Sequence, residues 1–214
     1  MLNIRRFVCN MFQENCYVVS DDTKESVIID CGAFYDEEKQ AIAEYIAHDG
    51  LTVRHLLVTH GHIDHNYGNG FVYERYGLKP LVHGGDEPLM CRLREQSVAF
   101  IGVPPDDDMP PVGRYITDED TVSFGNHTLT VIPAPGHSPG SVVFHCREEG
   151  VAFTGDTLFR MGIGRTDLML GSYEDIISSL HMLLDVLPDD TVVLSGHGPQ
   201  TTIADEKKMN PYVK

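Results

Sequence analysis

Apolar and β-branched residues fall in short runs along this chain, each stopped by a glycine or a polar cluster. The N-terminal stretch "MLNIRRFVCNMFQENCYVV" reads as an opening strand, and its "CYVVS" run is followed by "ESVIIDCG". The spacing then changes to a helical period over 36–49, "DEEKQAIAEYIAHD", with acids in the first turn where a helix dipole favours them. "LTVRHLLVTH" is a buried strand that delivers the chain to His60. A helix is predicted next, with Phe71, Tyr73 and Tyr76 toward the core, then a strand at "KPLVHGG" and one helix over "DEPLMCRLREQSVAF".

Residues 102–113, "GVPPDDDMPPVG", hold four prolines and three consecutive aspartates and are the best candidate for a surface linker. Strands resume at "DTVSFGNHTLTVIPA", "GSVVFHC" and "GVAFTGD", followed by a helix near 172–187 and a strand at "DTVVLSGHG". "TTIADEKKMNPY" predicts a short terminal helix with threonine caps, structural in role, whose start lies near the site. Both halves run strands, helix, strand. Sheets that bury one face on each other and the other under helices make an α/β fold of four layers, an αββα sandwich, here as one domain over 1–214.

With 214 residues and 42% hydrophobic content, the chain can bury a substantial core. No apolar run approaches the roughly 20 residues of a membrane span. The N-terminal stretch lacks the long apolar segment and small-residue cleavage site of a signal peptide. A formal charge of −16, from 32 acidic and 16 basic residues, opposes a polyanionic partner such as nucleic acid, although an ordinary acidic surface has the same charge. The five cysteines, Cys9, Cys16, Cys31, Cys91 and Cys146, are odd in number, irregularly spaced and without a CxxC. They read as buried thiols of a cytoplasmic protein. Cys31 is a small core residue on this reading, with a supporting role beside the site as the alternative.

The densest chemistry lies in "VTHGHIDHNYGNG", residues 58–70, which places His60, His62, Asp64 and His65 within six positions. Residues two apart in an extended chain point the same way, so His60 and His62 can meet one ion. If the backbone then turns into a helix, Asp64 and His65 face elsewhere, and one segment furnishes two neighbouring metals. Further candidate ligands stand where strands end: His137 in "PAPGHSPGS", Asp156 in "VAFTGDTLF" and His197 in "VVLSGHGP". Each taken singly is a turn histidine or a capping aspartate. Jointly, lone polar residues beside glycines at strand ends point to a site at the sheet edge.

"THGHIDH", "PGHSPGS", "TGDTLF" and "SGHGPQTTI" together resemble the metallo-β-lactamase superfamily, and within it the glyoxalase II-like hydrolases. The resemblance implies that His60, His62 and His137 hold one metal, that Asp64, His65 and His197 hold a second, and that Asp156 bridges them. Asp64 and Asp156 are then the candidate catalytic carboxylates. It also implies two divalent ions, zinc first, with iron or manganese suited to the same N and O donors. Asp30 in "IIDCG" matches a position expected to hydrogen-bond a ligand histidine, with a turn-stabilising aspartate as the other reading. Lactamases of the commonest zinc type are expected to carry cysteine where this chain has Asp156, which argues against antibiotic hydrolysis.

The implied reaction is hydrolysis of a small-molecule thioester such as S-lactoylglutathione by a hydroxide held between the ions. Longer members of the family carry an added helical segment that helps hold glutathione. The last metal motif here lies close to Lys214, so weaker glutathione binding or a different thiol is expected. Arg160 and Arg165 in "LFRMGIGRTDLMLGS" are the candidate cations for a substrate carboxylate, although buried pairing with an acid is favoured for Arg165. The rival is a persulfide dioxygenase of the same superfamily, with a single iron on His60, His137 and Asp156, to whose pattern "GIGRTD" is similar. A nuclease is opposed by the acidic balance, and a flavoprotein by the lack of a flavin-binding domain. A non-catalytic metal-binding scaffold is the bland alternative and needs only the ligands. His48, His55, His83, His127, His145 and His181 fall outside the motifs and are assigned to surface or core.

Overall fold

The computed structural model describes residues 1–105 and 108–213. Of the three aspartates in the proline-rich segment, Asp106 and Asp107 lie outside the described residues.

The opening stretch is two strands, not one: β1 (Asn3–Cys9) and β2 (Glu14–Ser20) form a hairpin, and β3 (Glu25–Ile29) pairs antiparallel with β2. The chain then crosses over through α1 (Asp36–His48), so β4 (Thr52–Leu57) lies parallel to β3. After α2 (Asn69–Tyr76), β5 (Pro80–His83) and β6 (Arg114–Ile116) extend this sheet in parallel, with α3 (Glu87–Met90) and α4 (Leu93–Ile101) between them. The second sheet starts as an antiparallel meander of β7 (Thr121–Phe124), β8 (His127–Pro133), β9 (Val142–Cys146) and β10 (Val151–Gly155). A small separate hairpin follows, β11 (Leu158–Phe159) with β12 (Gly162–Ile163). Then α5 (Tyr173–Val186) leads back to β13 (Val192–Ser195), parallel to β10, with β14 (Thr201–Thr202) at the edge before α6 (Ile203–Met209).

Period-two alternation decides the layers. Along β2, Tyr17 and Val19 enter the space between the sheets, where they meet Val131, Phe144 and Phe153 of the second sheet. Cys16 and Val18 point the other way, with Ile42 and Ile46 of α1 and Val72 of α2. On the far side, Leu180, Leu183 and Leu184 of α5 cover Val143, Ala152 and Val193. Each such fully buried leucine contributes about 1.5–3 kcal/mol relative to exposure. The result is helices, sheet, sheet, helices: the αββα sandwich that the sequence predicts.

Local expectations are corrected in places. The helix predicted over 86–100 is two, because Arg92 leaves helical backbone (φ −124°, ψ 21°). The break orients α4 so that the Gln96 side chain donates to the carbonyls of Leu89 and Gly61. On α2 the core residue is Val72, with Phe71 and Tyr76 partly buried and Tyr73 exposed, since residue 73 falls on the outer arc of the helix. Cys91 is exposed, while the other four cysteines are buried, and all five are free. Among the described residues, no helix is long and apolar enough to cross a membrane.

Candidate metal centre

Strand direction brings the site together. In the first sheet β3, β4 and β5 run parallel, so Asp30, the 60–65 segment and Asp86 all emerge from one edge. In the second, β8 is antiparallel to β9 and β9 to β10, while β13 is parallel to β10. β8, β10 and β13 therefore end on a common side, where His137, Asp156 and His197 follow them. A bridge between Glu14 and His197 joins the two edges.

All seven side chains singled out in the sequence converge there, in two groups. Nε2 of His137 lies 2.8 Å from Nδ1 of His62 and 3.1 Å from Nε2 of His60. Nε2 of His197 lies 3.2 Å from Oδ2 of Asp64, and Nε2 of His65 lies 3.8 Å from the same oxygen. Asp156 stands between the groups: Oδ1 is 3.3 Å from His65, while Oδ2 is 3.6 Å from His137 and 3.5 Å from His197. A short helical turn at Ile63–His65 separates the aims of the four residues of the first segment.

The hydrogen bonds behind the cluster fix which ring nitrogens face inward. His137 Nδ1 lies 2.7 Å from the Arg165 carbonyl, and His197 Nδ1 lies 3.0 Å from the Phe12 carbonyl. A carbonyl only accepts, so both Nδ1 atoms carry a hydrogen and both Nε2 atoms face the centre. His65 Nδ1 donates to Asp30 at 3.0 Å. Thr59 Oγ1 donates to Asp30 and can accept from His60 Nδ1 at 3.1 Å. Asp30 adopts φ 51°, uncommon outside glycine, and is held there by bonds to Thr59 and His65.

Electrostatics split the imidazoles. Burial, reinforced by His65 and His137, holds His60 well below the ordinary value, and burial with His137 takes His62 to about 3. Both environments favour the neutral ring. Burial also opposes charge on His65, but Asp156, Asp64 and Asp30 outweigh it and raise the value well above normal. Burial likewise opposes charge on His197, and the Asp64 hydrogen bond with Asp156 overrides it. At Asp156 burial pushes upward, but His65 and His197 hold the carboxyl below the usual range. Carboxylates around His65 and His197 thus demand positive charge at this point.

Several residues at the site carry no signal in the motifs. Asp86 accepts from Gly61 N (2.6 Å), Gly140 N (2.6 Å) and Ser138 Oγ (2.7 Å), pinning the loops that carry His60, His62 and His137 to one buried carboxylate. Its signal was the glycine pair before it at the end of a strand, in "HGGDEP". Glu14 is wholly buried with both carboxylate oxygens unpartnered, within 4.8 Å of Asp30 and His65 donors, and burial pushes its pKa well up. Gly196 leaves no room for a side chain, since a Cβ there would meet Asp156 Oδ1 at 2.3 Å and His65 Cε1 at 2.5 Å.

A cleft of about 340 Å³ opens over the cluster, walled by Phe12, Ile63, Phe100, Phe159 and Leu168, with Arg165 on its rim. Arg165 pairs with Asp167 through two bonds of 2.7 and 2.6 Å, as the acid-pairing reading expects, but the pair is exposed rather than buried. The two residues are neighbours in a surface loop, which keeps both in water. Arg160 is exposed and is not among the residues lining the cleft.

The metallo-beta-lactamase superfamily description matches residues 9–197. The chain is 36% identical over 215 residues to a protein of Haemophilus influenzae named hydroxyacylglutathione hydrolase GloC, covering 99% of this chain and 98% of that one. Among solved structures, the BLEG-1 B3 metallo-beta-lactamase superposes with a TM-score of 0.87 at 33% identity, covering 99% of this chain and 100% of that chain. TTHA1623 in a di-iron-bound form gives 0.85 at 33% identity, covering 97% and 99%.

Proposed function

This chain belongs to the metallo-beta-lactamase superfamily, a superfamily of metallo-hydrolases, and we propose that within it the protein is a dinuclear hydrolase of thioesters, S-lactoylglutathione or a related hydroxyacyl thioester being the substrate. The observation that carries this reading is the pairing of two donor triads, His60–His62–His137 and Asp64–His65–His197, with Asp156 reaching both. The likeness to a hydroxyacylglutathione hydrolase supports the thioester.

The residues fit a pair of divalent ions. His65 Nε2 and Asp156 Oδ1 are buried polar atoms without a hydrogen-bond partner, and both face the cluster. The donors are nitrogen and oxygen alone, a set that suits zinc first and iron or manganese also. Bound there, such ions would supply a hydroxide at neutral pH and polarise a carbonyl. The protein's own part is positional. Asp30 and the carbonyls of Phe12 and Arg165 hold the Nδ1 hydrogens so that Nε2 lone pairs point inward. Asp64 and Asp156 bring negative charge to the reacting centre. The walls give the cluster an apolar lining. A thiolate leaves without a strong acid, so a thioester needs no further proton donor from the cleft.

The partner is then a small molecule. The charge of −16 disfavours nucleic acid, and five unpaired thiols support a cytoplasmic location. A second reading, β-lactam hydrolysis, is favoured by the likeness to BLEG-1 and weakens the argument from the absent cysteine at position 156. The single-iron dioxygenase reading leaves His62, Asp64, His65 and His197 without a role.

Metal analysis of the purified protein alongside thiol release from S-lactoylglutathione tests the proposal. Two metal equivalents with release that disappears in Asp156→Ala are expected. Opening of a cephalosporin without thioester cleavage would move the assignment to lactamase. One iron with oxygen uptake on glutathione persulfide would move it to the dioxygenase.

A further inference from the structure

The turn that presents Phe12 is heavily braced. Asn10 Nδ2 donates to the carbonyls of Gly32 (2.8 Å) and Asp64 (2.9 Å), Asn10 N–H donates to Glu38, and Asn10 Oδ1 accepts from Phe12 N–H. Asn10 and Gln13 both adopt positive φ, 49° and 58°, a cost that such bracing sustains. The Phe12 carbonyl in turn accepts the His197 hydrogen, so the ring beyond it is referenced directly to the metal cluster.

Phe12 is nevertheless 38% exposed, and Phe100 beside it is 43% exposed, their rings meeting edge to face at 6.3 Å. Phe159 sets its ring edge-on to His197 at 6.2 Å, and Leu168 completes the wall. Aromatic surface left in water at the mouth of a cleft, while its backbone is tied to a ligand, marks a binding surface. Charge selection is poorly provided for. Arg165, the cation among the described residues lining the cleft, is already committed to Asp167 in a two-bond pair. Arg92 does not line the cleft and donates to the sulfur of Met169, a weak acceptor that follows Leu168 in the chain.

We infer that Phe12 and Phe100 determine specificity, and that they select an apolar, uncharged aryl or alkyl group adjacent to the scissile bond rather than the carboxylates of a peptide thiol. This rests on the thioester reading above, and within it moves the preferred substrate from a hydroxyacyl glutathione thioester to one with an apolar group beside the scissile bond. The reaction stays balanced as thioester plus water to carboxylic acid plus thiol.

The test compares S-phenylacetyl- and S-acetyl-N-acetylcysteamine with S-lactoylglutathione and S-lactoyl-N-acetylcysteamine, on the metal-loaded enzyme. The phenylacetyl thioester should exceed the acetyl one at least tenfold in kcat/KM. Phe12→Ala and Phe100→Ala should remove most of that preference through KM, and Phe12→Leu should restore it in part. The lactoyl pair should differ less than threefold. A tenfold preference for the glutathione carrier that falls in Arg92→Ala would overturn the inference. If the enzyme holds two metals and cleaves none of these, the thioester reading fails, and thiol binding to the cobalt-loaded protein decides the inference by absorption. Tighter binding of 2-phenylethanethiol than of glutathione supports it, and the reverse order overturns it.

Discussion

His65 and Asp30 meet at 3.0 Å with both side chains buried, and Asp30 spends its second oxygen on the Thr59 backbone N–H at 2.7 Å. One carboxylate therefore orients a candidate ligand ring and anchors the start of the 60–65 segment. In Asp30→Asn a single acceptor oxygen faces three donors. Affinity for the metal held by His65 should fall about ten- to a hundredfold, and further than that for the metal on His60 and His62. Chelator competition reads this directly, and two unchanged affinities would remove the orienting role.

Asp86 is a larger structural liability. Its loss in Asp86→Ala leaves Gly61 N, Gly140 N and Ser138 Oγ without their shared acceptor. Buried donors left unpaired cost about 1–3 kcal/mol each, so a loss of about 3 kcal/mol or more in urea unfolding is expected. Loss below about 1 kcal/mol would mean water replaces the carboxylate.

Gly196→Ala tests the crowding at Asp156 and His65. A Cβ at 2.3 Å from Asp156 Oδ1 forces the ligands apart. Metal content measured after dialysis should drop from two equivalents toward one, with the far-ultraviolet circular dichroism retained. Full metal content would show that the loop yields instead.

His127 sits between Asp21 (3.0 Å) and Glu149 (2.9 Å), far from the chemistry. Burial disfavours its charge, but the bonds to Glu149 and Asp21 prevail and raise its pKa. A raised folded value contributes stability fully below the unfolded value of about 6.5, and loses it as pH climbs through the folded one. The His127 bond lowers Glu149; at Asp21 burial works upward, and bonds from Asn126, Thr23 and His127 prevail and lower it, so their share persists above about pH 4 and fails in acid. The stability gap between the parent protein and His127→Gln should be widest near pH 6 and narrow by pH 9. A gap independent of pH in that range would contradict the ion-pair account.

Metal removal should act on the whole fold. Free zinc at about a thousand times its dissociation constant stabilises the native state by about 4 kcal/mol, or roughly 10 °C in a protein of this size. Calorimetry with and without chelator gives the comparison. Equal midpoints would argue against a high-affinity centre.

Much of this site was legible before folding because its signals are local. His60 and His62 share a strand-like spacing, and the turn at Ile63–His65 separates Asp64 and His65 from them within a few residues. His137, Asp156 and His197 each announce themselves by following an apolar run into glycine. Phe12 and Phe100 carry no such mark, because an aromatic residue at a cleft mouth and one in a core look alike in sequence. The split between α3 and α4 was equally hidden, since the apolar period continues across Arg92 while its backbone does not.

By itself the sequence indicated the layer architecture, because periods of 2 and 3.6 residues act over a few positions, and it marked seven candidate donors through motifs that resemble a known family. Only the tertiary structure decided that His62 meets His137 across 75 residues, that Arg165 is neutralised by Asp167 in the open, and that Phe12 is tethered to His197 across 185 residues. Those relationships depend on how two sheets pack face to face, and packing joins residues whose separation along the chain carries no period to read.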